Sequence, residues 1–202
     1  MYWKALRVSI KKPAGVTRTY ILDTAWDLIA RAGADVSMQQ IADASDVSRQ
    51  SVYLHFKTRG GLLLALVKRA DERFTIKEDF FTAMATPSPQ KRLDACLRIW
   101  FDFVVNIHPV ATDLIRLRKH DADAASAWED RMNDLWAWER QLVESLAKDK
   151  ALSKGWSIAD ATDYLWSSSS VQMFDLLTQD RNWSANKTSR VLRKVISQTL
   201  LG

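Results

Sequence analysis

The chain has 202 residues, 47% of them hydrophobic and 26% charged, with a formal charge of +5 and an isoelectric point near 9.4. That balance excludes a low-hydrophobicity disordered chain and allows a sizeable core in one domain or two small ones. A single cysteine, Cys96, excludes an internal disulfide framework and fits a reducing compartment, while the mild basicity is compatible with a nucleic-acid partner without establishing one.

Six glycines and four prolines point to long helices rather than many-turned β structure. Residues 1–16 carry Lys4, Arg7, Lys11 and Lys12 and no acidic residue, ending in Pro13-Ala14-Gly15. Two readings stay open for this stretch: a flexible basic arm that reaches DNA, or a disordered leader. It lacks the long apolar run of a signal peptide, and the longest apolar run anywhere, Leu62–Val67, is too short to span a bilayer. Thr17–Ala32 is predicted as the first helix, with Ile21, Ala25, Leu28 and Ile29 inward and Gly33 as its stop.

Ser37 to Phe56 then reads as two short helices around a tight turn. Ser37 is an N-cap and Gln40 completes a capping box. Ser45-Asp46-Val47 breaks the first helix, and Ser48 caps the second. Val47, Val52 and Phe56 form the buried side of that second helix; Arg49, Gln50, Ser51, Tyr53 and His55 lie on the other. A short helix pair whose second member is rich in exposed donors is the helix-turn-helix pattern of a major-groove reader.

Ile41-Ala42, Val47-Ser48, Tyr53, His55-Phe56, Lys57 and Leu62 together resemble the DNA-binding signature of the TetR family of bacterial transcriptional regulators. The resemblance covers roughly residues 17–66. Asp46 stands where the family usually has a turn glycine, a position Asp tolerates better than most residues. The resemblance implies an all-α chain. Residues 17–66 would form a three-helix helix-turn-helix DNA-binding domain, and residues 87–202 a helical ligand-binding and dimerisation bundle. It also implies phosphate contacts from Tyr53, His55 and Lys57. Gln50, with Arg49 and Ser51, is the candidate for reading base edges, because Gln and Arg pair bidentately with adenine and guanine. Gln39 and Ser48, at the starts of the two helices, complete the candidate DNA-binding set.

Thr58 is predicted to cap a fourth, connecting helix that extends to about residue 80. Gly60-Gly61 in its first turn suggests a mobile start, or a place where the DNA phosphate backbone comes close. Ser88 and Pro89 open the next helix, predicted to end at Pro109 and to be followed by a short helix over 110–119. A long helix over 122–148 follows. Ser157 is placed as the cap of a helix from Ile158 to about Leu177, and Ser184 as the cap of the last one.

Seven tryptophans lie beyond residue 99. Most indoles are core, but Trp100, Phe103, Trp128, Met132, Trp136 and Trp166 fall on stripes expected to face one another, and are the candidate walls of an effector pocket. Ser168 and Ser169, within a run of four serines, and Val191, Leu192, Val195 and Ile196 on the last helix are the candidate homodimer interface. No metal-ligand spacing, catalytic motif or cofactor-binding loop occurs, so no catalytic residue, metal or cofactor is expected. The expected function is a cytoplasmic, non-enzymatic transcriptional regulator without a membrane partner. It would repress from a near-palindromic duplex operator until a small hydrophobic or aromatic effector releases it. Two alternatives stay open: a regulator controlled by a partner protein instead of a small molecule, and a ligand-sequestering protein that has lost operator binding.

Overall fold

Short polar side chains set the starts of most helices. In the computed structural model, which describes residues 14–32 and 36–202 and the side chains of all but 14–16 and 71–73 among these, the Ser37 hydroxyl accepts the amide of Gln40 at the start of α2 (Met38–Ala44), and the Gln40 side-chain oxygen accepts the Ser37 amide. Ser48 opens α3 (Arg49–Phe56) and Thr58 opens α4 (Arg59–Arg73) in the same way. Ser88 caps α6 (Pro89–Leu117), with Pro89 in its first turn, and Asp121 caps α7 (Ala122–Lys148). Ser157 and Ser184 cap α8 (Ile158–Ser168) and α10 (Ala185–Leu200). Each such cap contributes about 1 kcal/mol by satisfying an amide the helix leaves open. The first helix, α1, spans Ala14–Ala32 and so begins before Thr17. The arm expected over residues 1–16 lies outside the described residues up to residue 13, as does the Gly33 stop. Among the described residues there is no strand, only an isolated bridge between Leu152 and Leu201.

Three expected boundaries are corrected. The connecting helix does not run to residue 80. It ends at Phe74, Thr75 takes a left-handed conformation (φ 43°), and a separate helix, α5 (Ile76–Met84), begins there. The reversal turns Ile76 and Ala83 inward and stacks Phe80 on Trp138, ring centroids 5.5 Å apart. Pro109 does not end its helix: α6 passes straight through it. An interior proline costs about 3 kcal/mol. Burial of Val104, Val110 and Leu114 around it returns about 1.5–3 kcal/mol each, which is the larger sum. The serine run, conversely, does break a helix. α8 stops at Ser168, Ser170 is extended and caps the short α9 (Val171–Asp175), and a π-helical segment, Leu176–Asp180, follows.

Helices α1–α3 pack on α4 around Ile21, Ile29, Ile41, Val52, Leu62 and Leu66, and α4 continues this core into the bundle. Two arginines tie the bundle together. The guanidinium of Arg92 donates to the Thr86 carbonyl and the Ser145 hydroxyl and pairs with Asp149 at 2.8 Å; Arg193 holds Asp94 with both oxygens, joining α10 to α6.

The start of α4 is clamped rather than mobile. Arg59 pairs with the fully buried Asp113 of α6 and donates to the Val36 carbonyl. The Gly60 amide donates to Asp121 at 3.3 Å, and the Thr58 hydroxyl donates to Asp123 at 2.7 Å. A Cβ on Gly60 would overlap the Asp121 carboxylate and lie 2.7 Å from the Ala124 amide nitrogen; one on Gly61 would overlap the Phe56 carbonyl. Both glycines are therefore present for close approach within the chain. Gly60→Ala is expected to lower stability by about 1–3 kcal/mol, the usual cost of overpacking, despite alanine's better helix propensity. Thermal unfolding checks this; a variant as stable as the parent would contradict the clamp.

Candidate nucleic-acid interface and bundle cavity

The turn between α2 and α3 closes on Asp46, which takes the left-handed conformation (φ 52°), while the Val47 amide returns to the Ala42 carbonyl at 3.0 Å. Val52 and Phe56 are thereby buried, so the opposite side of α3 faces outward. Arg49, Gln50 and Tyr53 are exposed there, with Ser51 and His55 half-buried. The Arg49 guanidinium lies over the Tyr53 ring, 5.4 Å from its centroid, and donates to the Tyr53 hydroxyl at 3.3 Å. Lys57 is exposed at the helix end in a left-handed conformation (φ 57°). Gln39 is exposed on α2 and donates to Asp43 at 2.7 Å; the Ser48 hydroxyl accepts the Ser51 amide at 3.1 Å as the helix cap.

Two residues on this surface escape a reading of the sequence by residue type. Leu54 is 78% exposed on α3 beside Gln50 and Tyr53. It sits off the apolar stripe of Val52 and Phe56, and that offset was the available signal. Arg116, more than sixty positions away on α6, joins Gln39, Arg49, Tyr53 and Arg59 around an open cleft between the two domains. Only tertiary structure brings it there.

Behind this surface, the bundle holds an apolar cavity of about 60 Å³. Trp26, Val67 and Ala70 form its wall on the α1–α4 side; Trp100, Phe103, Trp128, Met132 and Trp138 face them from α6 and α7. A smaller chamber of about 20 Å³ shares Ile76, Trp100, Leu135 and Trp138 with it and is lined further by Phe80, Cys96 and Glu139. Four of the six expected pocket residues, Trp100, Phe103, Trp128 and Met132, line the larger cavity. Trp136 does not: its indole N–H donates to Asp163 of α8 at 2.9 Å, and Arg140 lies over its ring. Trp166 lines neither cavity, and its indole nitrogen is buried without a partner. The inward face of α7 runs through Trp128, Met132, Leu135, Trp138 and Glu139, and Trp136 lies about 100° around the helix from Leu135.

Glu139 is the other residue the sequence hides, since acidic residues on a helix usually mark its solvated face. It is 5% exposed. One carboxyl oxygen accepts the Ser169 hydroxyl at 2.6 Å and the other meets no donor. Burial raises its pKa to about 8, with the Ser169 bond opposing the shift. Burial also pushes the Cys96 thiol up to about 12. His108 lies 2.7 Å from Asp175.

Residues 21–66 match bacterial regulatory proteins, tetR family. The match spans the turn-forming pair and its supporting helices, from within α1 to within α4. No curated protein matches the chain in sequence. Solved structures match along nearly the full length. NalD from Pseudomonas aeruginosa, the secondary repressor of the MexAB-OprM multidrug efflux pump, is 21% identical with a TM-score of 0.65, covering 95% of this chain and 98% of its own. FadR from Bacillus subtilis, in complex with stearoyl-CoA, is 15% identical with a TM-score of 0.70, covering 90% and 98%. A protein from Saccharomonospora viridis described as a transcriptional regulator, in complex with choline, is 18% identical with a TM-score of 0.73, covering 93% and 99%. At these identities the likeness establishes the fold: a TetR-type helix-turn-helix domain on a helical bundle.

Within that TetR-type bundle, the residues expected at a dimer interface divide. Ser169 is fully buried against Glu139, and Ile196 is 1% exposed in the chain's own core, so neither is available to a second copy. Ser168, Val191 and Leu192 are half-buried and Val195 is 46% exposed.

The raised Glu139 pKa fixes a pH dependence of stability. In the unfolded chain the carboxyl ionises near 4.5, in the folded chain near 8. Between those values the unfolded state binds fewer protons, so ionisation favours unfolding progressively as pH rises. Glu139→Gln, which keeps the shape without the charge, is expected to match the parent near pH 4.5 and to gain on it by up to ~1.4 kcal/mol per pH unit towards pH 8. Parallel thermal melts at pH 5 and pH 8 read this; an advantage that shrinks with pH contradicts the assignment.

Proposed function

We propose that the chain is a transcriptional repressor of the bacterial cytoplasm that binds a near-palindromic operator as a homodimer and leaves it when a small, largely apolar effector enters the bundle. The observation that carries this reading is the shared wall of the cavity. Trp26, Val67 and Ala70 belong to the helices that support the reader, and Trp100, Phe103 and Trp128 to the bundle. A ligand between them pushes on both. The first turn of α4 is fixed by Arg59, Gly60 and Thr58, so displacement near Val67 and Ala70 swings α4 about that fixed end and carries α1–α3 with it. A coupling of ~1–3 kcal/mol changes operator occupancy usefully. NalD supports the repressor reading, and stearoyl-CoA and choline in the other two structures support a ligand in this kind of bundle.

On DNA, Gln50 and Leu54 touch base edges, Leu54 offering an apolar surface to a thymine methyl. Arg49, Tyr53 and Lys57, with Gln39 and the half-buried His55, face the phosphates. The test is selection of bound sequences from random duplexes, followed by titration of the selected operator in a panel of apolar, aromatic and charged small molecules. The expected result is a two-fold related site with half-sites about one helical turn or a multiple apart, released by some members of the panel. No sequence selected would sink the operator, and a complex insensitive to every compound would sink the effector. Gln50→Ala and Leu54→Ala are each expected to relax preference at one position of each half-site. Lys57→Ala should weaken all duplexes alike and lower the salt slope by about one.

The homodimer is expected to use the exposed apolar side of α10, including Val191 and Val195, together with α8. Val195→Asp places an unpaired charge in that contact and should abolish both dimer and operator binding. Sedimentation measures the first and fluorescence anisotropy the second; a tight dimer that survives the change places the interface elsewhere.

A further inference from the structure

Glu139 is an expensive residue in its position. It is 5% exposed, one oxygen takes a single neutral hydrogen bond from Ser169, and Oε2 has no donor. A carboxylate taken out of water needs a charged partner, and none of the described residues lining this chamber is a cation. From α5 it is faced by Ile76 and Phe80, from α8 by Leu165 and from that helix's C-cap by Ser169, and from α6 by Cys96, whose thiol stays neutral. Two arginines of α6 and α7 are engaged with other carboxylates: Arg92 with Asp149 at 2.8 Å, and Arg131, in the larger cavity, with Asp134 at 3.0 Å. A structural hydrogen bond to Ser169 needs no charge, since glutamine would make it equally well.

The rest of the chamber is aromatic. Trp138 and Phe80 are stacked, and the Trp100 ring is held in place by its N–H, which donates to the Ser169 carbonyl at 2.8 Å. Ring faces attract cations, and most strongly where water is absent. Once Glu139 ionises, near pH 8 in the empty protein, an anion is repelled, and a neutral apolar group leaves Oε2 without a partner. Resting on the effector reading above, we propose that this chamber receives the ammonium group of an organic amine, with Glu139 as its counter-charge and Trp100, Trp138 and Phe80 as its aromatic walls. The amine's apolar body then extends through the shared boundary at Ile76, Trp100, Leu135 and Trp138 into the larger cavity, against Trp26, Val67 and Ala70 of the DNA-binding side.

Binding of an ammonium ion ionises Glu139. Because burial holds that carboxyl near 8 in the empty protein, binding below pH 8 releases a proton. Affinity for an amine therefore rises with pH, by up to ~tenfold per unit, and levels off above 8 until the amine itself deprotonates near ~10.4, as a lysine side chain does.

The test compares hexylammonium, hexan-1-ol and hexanoate on the full-length protein at pH 8 by calorimetry, and each again on Glu139→Gln. Hexylammonium is expected to bind at least ~tenfold more tightly than the other two, to lose that advantage in the variant while hexanol binding is kept, and to weaken from pH 8 to pH 6 in the parent. Hexanol or hexanoate binding as tightly as the amine, or an amine affinity flat across that pH range, overturns the proposal; the pH series needs no variant to fold. The same three compounds are added to the operator complex. If hexanol or hexanoate releases DNA and the amine does not, the effector reading stands and the ammonium site falls. If the amine binds through Glu139 and leaves the operator complex intact, the site stands and the effector reading falls.

Discussion

The buried ion pair between Arg59 and Asp113 is the constraint on which the relation between the two halves depends. Asp113 is fully buried and also holds Arg116, so removal of Arg59 strips the aspartate of its inner partner. Breaking such a pair costs about 3–5 kcal/mol, a large share of the ~5–15 kcal/mol that holds a domain of this kind together. Around it, the Gly60 amide and the Thr58 hydroxyl bond to carboxylates of α7 and its cap. Further along α4, Val67 and Ala70 border a hollow. One helix therefore has a pinned first turn and a hollow along its inner face, and the proposed coupling between cavity and α3 rests on that asymmetry.

The helix starts were legible in the sequence because capping is local. Ser37, Ser48, Thr58, Ser88, Ser157 and Ser184 each accept the amide three residues on, so a window of four residues contains the whole interaction. The misplaced boundaries are those that tertiary packing decides. Nothing in the neighbourhood of Thr75 announces a left-handed turn; it exists because Ile76 and Phe80 find places in the bundle. Pro109 reads as a stop, and long-range burial of its neighbours overrides it.

The same division applies to the candidate sites. The exposed face of α3 follows from the buried positions of Val52 and Phe56, so Arg49, Gln50 and Tyr53 could be placed from periodicity alone. Leu54 is hidden from such a reading, because an apolar residue type stands for burial in any hydrophobic pattern. The cavity needed the phase of α7 to within one residue, and a phase set on Trp128, Met132 and Leu135 admits Trp138 and Glu139 but not Trp136. For the dimer contact, the stripe on α10 was too broad: its Ile196 edge turns into the chain's own core and its Val195 edge turns out.

The chain's one cysteine is sealed inside the bundle, 2% exposed, with a thiol that stays protonated until about pH 12. At neutral pH its reactive thiolate amounts to fewer than about one molecule in ten thousand, and reagents reach it only when the bundle opens. The wild-type background is thus already blank for maleimide chemistry. A cysteine introduced at an exposed position such as Ala44 or Ala85 would take up a dye alone, with no need to remove a native thiol first. With one label per copy, an assembled pair becomes a molecular ruler for the spacing of its two ends.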